Sequence, residues 1–554
     1  VKKIPIGISD FKKIMDENFF FVDKSLLIKE IIEDGAEVIL FTRPRRFGKT
    51  LNMSMLKYFF SITEQNNRRL FRHLNIFEET YMMEKQGTYP VIFITLKDEK
   101  HRQFTQFKKS FALLMSEIYK QHLYLLEGTQ LLPSEKEYIQ QIINKETDEV
   151  ELQKSLLLLS SYLYKYHQQK VIILIDEYDV PLQEAYIYGY YDEMIYFMRN
   201  FFSAGLKDNV YLEKAILTGV LRIAKESVFS GLNNLETYSI LKSKYSQYFG
   251  FVETEVEQLL SYYGLEKKMG DIRTWYNGYT FGTHVIYNPW SILHFVKDPG
   301  AGFRAYWVNT AENGLLRTLF AKANKNIKKE LEQLIKGETV IQPIDETIVM
   351  PEVEQTEANI WSFLLFTGYL RAAHQEIEES LHVDLQIPNT EVLTLFKQII
   401  LSWFQVRTAD TFSLLLKSLT NGDIESFEDA LSDLIEQTIS YFDVGQESEK
   451  FYHALVLGML VSLENEYTIK SNRESGYGRY DIMLIPKQRG KYGIVIEFKS
   501  VNKRKKETLE EAARAAVQQI RDKQYKKELL SLGIPSILEI GIAFDGKKVC
   551  VKKG

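Results

Sequence analysis

Gly48, Lys49 and Thr50 stand where an apolar, strand-like run, VILFT, gives way to a helix-forming segment, so a lysine and a hydroxyl fall at a helix start. Free backbone N–H groups and the helix dipole already favour a phosphate there. A second chemical pair, Asp176 and Glu177, ends the apolar run 171–175 within KVIILIDEYDVPL. At the end of a buried strand, Asp176 can help hold Mg²⁺ through water, together with the Thr50 hydroxyl, while Glu177 polarises a water attacking a γ-phosphate. The third group is Asp481, Glu497 and Lys499, in GYGRYDIMLIPKQRGKYGIVIEFKS. Two carboxylates beside a lysine suit a divalent metal at a phosphodiester: Asp481 and Glu497 as ligands, Lys499 orienting water or offsetting charge.

The first motif matches G-x-x-x-x-G-K-[ST] incompletely. Arg43 occupies the first glycine's position and Pro44 follows it, so the turn must be built without a glycine's positive φ there. Arg45 and Arg46 inside the loop either neutralise phosphate charge or face solvent. Segments 171–175, 89–96 and 210–218 read as strands that join 38–42 in a parallel sheet, whose C-terminal edge is where ligands bind. Thr218 at a strand tip is then a candidate γ-phosphate sensor, and Arg222 a candidate finger acting in cis or from a neighbour. The plain alternatives are a turn residue and a solvated arginine.

Segments 480–485 and 493–498 read as the two strands of a hairpin. Residues two apart share a face, so Glu497 and Lys499 project together, and in register Asp481 lies beside Glu497. A solvated hairpin with a Glu497–Lys499 neighbour pair is the plain alternative, worth little energetically. Apolar Val495, Ile496 and Phe498 argue instead for burial, where charges require partners or a metal. A helix expected over 507–526 places Ala512, Ala513, Ala516, Val517 and Ile520 on one side and carries Gln518, Gln519 and Tyr525.

RPRRFGKT, DEYD, TGVLRI and SGLNN, in that order, together with FVDK at 21–24, resemble the AAA-ATPase-like proteins of the P-loop NTPase superfamily. The D…E-x-K pattern resembles the PD-(D/E)XK nuclease superfamily. With YHALVLGML, NRESGYGRYD, IEFK and AVQQIRDKQY around it, it is similar to the nuclease-like domain found C-terminal to these ATPase-like domains. The resemblance implies ATP and Mg²⁺, with Mn²⁺ as an alternative at the nuclease site, and DNA or RNA as partner. It places Gln519 near the metal and sets Phe20 and Phe21 either against adenine or in the core, with Asp23 as a helix N-cap. His453 and Glu474 are pocket candidates against core or loop roles, and Arg479 binds a phosphate or braces a turn.

A chain of 554 residues with 45% hydrophobic and 13% aromatic content holds several cores. The expected architecture is α/β: a P-loop NTPase domain with a parallel sheet at 1–235, a helical lid or winged-helix-like region at 236–385, and an α/β PD-(D/E)XK nuclease-like domain at 386–554. In the middle region, YNGYTFG, IYNPWSI and YWVNT are read as core aromatics rather than base-stacking platforms. A charged amphipathic helix is expected at 324–342, a strand or loop at 375–383, and helices over 392–442. One cysteine excludes an intrachain disulfide and a Cys-based zinc site, and the nine histidines do not cluster. A net charge of −5 gives no global pull toward nucleic acid, leaving local basic surface such as the KRKK run at 503–506. No apolar run approaches the roughly 20 residues of a membrane span, and the first residues lack a secretory h-region, so a cytoplasmic protein is expected; homo-oligomerisation stays open.

Three function classes follow: an ATP-regulated nuclease, a nucleotide switch or scaffold with an inactive nuclease fold that binds nucleic acid or a partner protein, and a nucleic-acid-remodelling motor. The complete Asp481, Glu497 and Lys499 set weighs against the scaffold. Arg43 and the want of a clear trans arginine weigh against the motor.

Overall fold

Apolar, largely β-branched runs become the strands β1 Val38–Thr42, β2 Val91–Thr95, β3 Val171–Asp176, β4 Leu212–Gly219 and β5 Leu235–Tyr238. They form one five-stranded sheet in the order β2-β3-β4-β1-β5, and every pairing is parallel. β1 and β3 are buried along their whole length, as strands covered on both faces must be. Because β4 lies between β1 and β3, Thr218 sits at the same sheet edge as the phosphate loop and the acidic motif. β5 is short and only half apolar, and periodicity does not reveal it.

The computed structural model describes residues 1–221, 229, 232–308, 316, 319–320, 325–335, 337–348, 350–353, 355–377, 381–403, 409–439, 456, 459–460, 463, 466–475, 478–488, 490–501, 507–546 and 548–554. The chain divides into two compact units, Val1–Glu312 with Ile341–Val392, and Asn313–Val340 with Leu393–Gly554. The first contains the parallel sheet and the helix Lys49–Phe60 that follows β1. It also contains the aromatic-rich segment, folded as β6 Phe251–Val252, β7 Tyr279–Phe281 and β8 His284–Tyr287, antiparallel in the order β6-β8-β7. Helices Glu253–Tyr263, Met269–Tyr276 and Pro289–Lys297 close a core there around Tyr276, Tyr287 and Phe295. The aromatics of this region are therefore core, as read from the sequence.

Further strands are β9 Val340–Pro343, β10 Arg371–Ile377 and β11 Leu381–Gln386, in the order β10-β11-β9. The helix expected over 324–342 is shorter, Lys325–Ile335: Gly337 adopts φ +82°, a left-handed turn that stops it, and 340–343 is strand.

In the second unit, β12 Tyr467–Ser475, β13 Gly478–Pro486, β14 Gly493–Ser500, β15 Ile537–Asp545 and β16 Lys548–Lys553 make a mixed sheet in chain order. Only β14 and β15 run parallel; the expected hairpin is β13–β14. Between β14 and β15 the helix Leu509–Asp522 starts at a reciprocal cap: Thr508 Oγ1 accepts the Glu511 N–H at 3.2 Å, and Glu511 accepts that of Thr508 at 2.7 Å. Its alanine face packs on the sheet with Ala543 and Cys550. Among the described residues, no helix is long and apolar enough to cross a membrane.

Gly541 sets how closely that helix sits. A Cβ there would lie 2.2 Å from the Ala513 carbonyl oxygen and 2.8 Å from the Val517 nitrogen, both backbone atoms that cannot yield without moving the helix. Gly541→Ala is expected to destabilise the second unit by about 1–3 kcal/mol through overpacking. Differential scanning calorimetry showing an unchanged transition would contradict this close approach.

Candidate functional site

The first cluster gathers at the C-terminal edge of the parallel sheet. Gly48 caps the helix Lys49–Phe60 with φ +86°, and Arg46 has φ +71°; Arg43 does not have a positive φ. The loop thus bends at its fourth and sixth residues rather than its first. Arg43 turns inward and is fully buried, with Nη1 donating to Thr42 O at 2.8 Å and Tyr238 O at 2.7 Å. Its guanidinium lies 5.0 Å from the Phe249 ring centroid and 5.4 Å from that of Phe281, and burial pushes its pKa down to about 9. Arg43 is a core strut.

Lys49 is buried, and its ammonium donates to Arg43 O and Pro44 O, each at 3.0 Å. Burial lowers its pKa, while Glu177, Asp179 and Asp176 oppose that shift, so three carboxyls surround it. Asp176 Oδ1 accepts the Thr218 hydroxyl at 2.5 Å; Oδ2 is buried with no hydrogen-bond partner among the described residues. Burial raises the Asp176 pKa, and the Thr218 and Thr50 hydroxyls hold it back, which places Thr50 beside this carboxyl. An orphaned carboxylate oxygen next to a helix-start hydroxyl fits a Mg²⁺ held with a nucleotide.

Glu177 follows with φ +54°, a conformation that costs on the order of 1 kcal/mol or more and so must be held by its surroundings. Its N–H lies 3.4 Å from Thr218 Oγ1, and its charge acts on both Lys49 and Arg46. Asp179 is structural: it accepts from Val220 N at 2.8 Å, Leu221 N at 3.2 Å and Gln183 Nε2 at 2.9 Å. Of the loop arginines, Arg45 donates to Gln183 Oε1 at 3.2 Å, and Arg46 places its guanidinium 4.0 Å from the Trp290 ring centroid. Arg222, His453 and Lys503 to Lys506 lie outside the described residues, as do the side chains of Glu474 and Arg479.

Beside Gly48 opens a small apolar pocket lined by Phe20, Phe21, Val22, Leu51, Tyr248 and Phe251. Lys24 is on its wall with its ammonium committed to Gln247 O and both oxygens of Glu255, at 2.6–2.7 Å. Asp23, expected to cap a helix, instead accepts the N–H groups of Ser25 at 2.8 Å and Asn75 at 2.7 Å. The helix begins later, at Leu27, with no side-chain cap.

The second cluster is on the sheet of the other unit. The β13–β14 ladder runs Leu484↔Ile494, Met483↔Val495, Ile482↔Ile496; the next step brings Asp481 level with Glu497. There Asp481 Oδ2 accepts the Phe498 N–H at 2.8 Å, so a carboxylate takes the amide beside Glu497. Glu497 is only 3% exposed, and its Oε1 accepts from Gln519 Nε2. Across the parallel ladder Glu497 faces Gly541, whose missing side chain lets the Gln519 helix approach. Lys499, on the same face, is half-buried, and its ammonium makes no hydrogen bond or ion pair with the described residues.

Tyr525 completes this cluster, and spacing alone does not reveal its place. It is buried, its ring 5.9 Å from that of Tyr480; burial raises its pKa, with Glu497 and Asp481 adding and Gln519 opposing. Among the described residues no three His, Cys, Asp or Glu converge as a metal cage. A pair of carboxylates suits Mg²⁺, which takes one or two and keeps several waters, better than zinc.

Residues 5–229 match the family described as predicted AAA-ATPase, and residues 447–554 match the PD-(D/E)XK nuclease superfamily. A protein of Azotobacter chroococcum mcd 1, described as an uncharacterized protein in the vnfD 5' region, is 25% identical over 561 residues, covering 98% of this chain and 96% of that protein. The similarity therefore runs through both matched regions.

Adding Mg²⁺ or Mn²⁺ is expected to raise the melting transition of the second unit by the equivalent of about 1–3 kcal/mol near saturation. Glu497→Gln should remove that shift while leaving the metal-free transition in place. Equal shifts in both proteins would take Glu497 out of the metal site.

Proposed function

We propose that this chain, an AAA-ATPase-like domain followed by a PD-(D/E)XK nuclease-superfamily domain, binds and hydrolyses ATP in its first unit and uses that cycle to govern Mg²⁺-dependent cleavage of DNA or RNA in its second. What carries the reading is the meeting of Asp481, Glu497 and Gln519 on one sheet face with Lys499 beside them. A solvated hairpin would expose Glu497; here it is buried.

At the nucleotide, Gly48, Lys49 and Thr50 present amides, an ammonium and a hydroxyl to the phosphates. Burial lowers the Lys49 pKa, and the charges of Glu177, Asp179 and Asp176 oppose that shift. Thr218 fixes the Asp176 carboxylate through its hydroxyl and is placed to sense what happens at the γ-phosphate. Glu177 accepts the proton of the attacking water, and its strained backbone keeps its carboxylate by Lys49 and Arg46. Arg45 and Arg46 add positive charge at the loop, and the apolar pocket with Phe20 and Phe21 takes the base.

At the nuclease face, Asp481 and Glu497 would hold the cation, which when bound supplies Lewis acidity at the scissile phosphate and a more acidic water. Gln519 fixes the rotamer of Glu497 through Oε1. Lys499 offsets the negative charge that develops on the phosphate. Tyr525 closes the pocket against solvent.

Titration calorimetry of MgATP into wild type and Lys49→Ala should show binding heat only in the wild type; equal heats would remove the phosphate-loop assignment. Nicking of plasmid or single-stranded RNA with Mg²⁺ or Mn²⁺ should fall by at least 100-fold in Glu497→Ala, the scale of a lost metal ligand. Binding without cleavage in the wild type would select the scaffold reading instead.

A further inference from the structure

A loop without its first glycine needs another source of shape, and the aromatic segment supplies it. The Trp307 indole Nε1–H donates to Arg45 O at 3.0 Å, across 262 residues of sequence. Gly250 N donates to Phe47 O at 3.0 Å. In a planar trans peptide, C=O and the following N–H point in opposite directions. Holding the Arg45 and Phe47 carbonyls therefore turns the Arg46 and Gly48 N–H groups away from the Trp307 indole and the Gly250 amide.

Trp307 is itself held. Glu391 accepts its backbone N–H at 2.5 Å, the Ser291 hydroxyl at 2.7 Å and the N–H of Val308, while the neighbouring Tyr306 N–H goes to Arg304 O at 3.0 Å. The indole packs against Tyr279 and Tyr369 at centroid distances of 6.1 and 5.5 Å, leaving it no room to swing. Burial pushes the Glu391 carboxyl up to about 7, so the anchor is bought at a cost in stability.

We infer that Trp307, clamped by Glu391, is a positioning residue for phosphate binding: its indole N–H orients the 45–46 peptide so that the Arg46 amide faces the nucleotide phosphates. This rests on the nucleotide-binding reading of the loop. Trp307 touches no phosphate; it acts through the loop backbone. Its role is distinct from packing, because a phenyl ring would fill the space between Tyr279 and Tyr369 without donating a hydrogen bond.

The test is Trp307→Phe in the full chain, with affinity for MgATP, MgADP and adenosine measured by calorimetry or competition. MgATP and MgADP should weaken about 10-fold, the equivalent of roughly 1.4 kcal/mol, while adenosine is unaffected and the melting transition stays within a few degrees. Glu391→Gln should show the same selective loss. Unchanged MgATP affinity, or equal loss for all three ligands, would overturn the inference. If Trp307→Phe does not fold, the wild type still decides: ¹⁵N-indole NMR, assigned by single Trp→Phe changes at 275, 290, 361 and 403, should show the Trp307 Nε1–H resonance move with MgATP. A resonance that stays put at saturation refutes it. Should the wild type bind neither MgATP nor MgADP, the nucleotide reading itself fails; binding with no Trp307 dependence fails only this step.

Discussion

A loop proposed to bind phosphate would have to present amides to an anion, and here its first position carries arginine, so its shape cannot come from the loop alone. An Arg46 φ of +71° is a strained conformation that persists only where the surroundings determine it. Those surroundings are visible on every side. Lys49 ties two carbonyls, Trp307 and Gly250 tie two more, Arg46 lies over Trp290, and Gly368 accommodates Pro44, which a Cβ there would meet at 2.9 Å. The aromatic-rich segment thus has two roles at once: it is core, and it is the mould of the loop. Arg43 belongs to the same arrangement, since a buried guanidinium bridging Thr42 O and Tyr238 O joins the end of β1 to β5.

The second unit meets a different constraint, a carboxylate inside a sheet. A buried charge is tolerable only when hydrogen bonds or a cation compensate it. Glu497 is met by Gln519, and Gln519 can reach it because Gly541 leaves the helix free to approach. Asp481 solves its own problem by taking the Phe498 amide, one step past the Ile482–Ile496 pair of the β13–β14 ladder. One strand thus offers a carboxylate and its neighbour receives it, which leaves both acids on one face next to Lys499.

What the sequence made legible was local. β1, β3 and the β13–β14 hairpin follow from apolar runs that end in charged residues, and the helix start at Lys49 follows from Gly48. Gln519 was legible only through a family pattern, and Asp481 with Glu497 through strand register. β5 was not legible, being four residues of mixed polarity, nor was the role of Asp23, whose partner Asn75 lies 52 residues on. The bracing of the loop was beyond reach for the same reason: Arg45 and Trp307 are 262 residues apart and Trp307 and Glu391 another 84, and no periodicity links such positions. Tertiary context also overrode the charge pattern at 337–342, where a left-handed Gly337 precedes a strand rather than more helix.

Glu391 stands where the chain changes unit. Val392, the next residue, is the last of the first unit, and the segment 307–308 that Glu391 grips comes shortly before Glu312, where the chain first leaves it. One carboxylate therefore fastens two of the chain's exits to the anchor that carries Trp307. An apolar side chain of the same size would be cheaper to bury, yet it would leave the amides of two successive residues, Trp307 and Val308, without their acceptor, and each buried orphan costs on the order of 1–3 kcal/mol. The carboxylate is explained by the geometry it imposes on 307–308, and the loop 43–48 inherits that geometry through a single indole N–H.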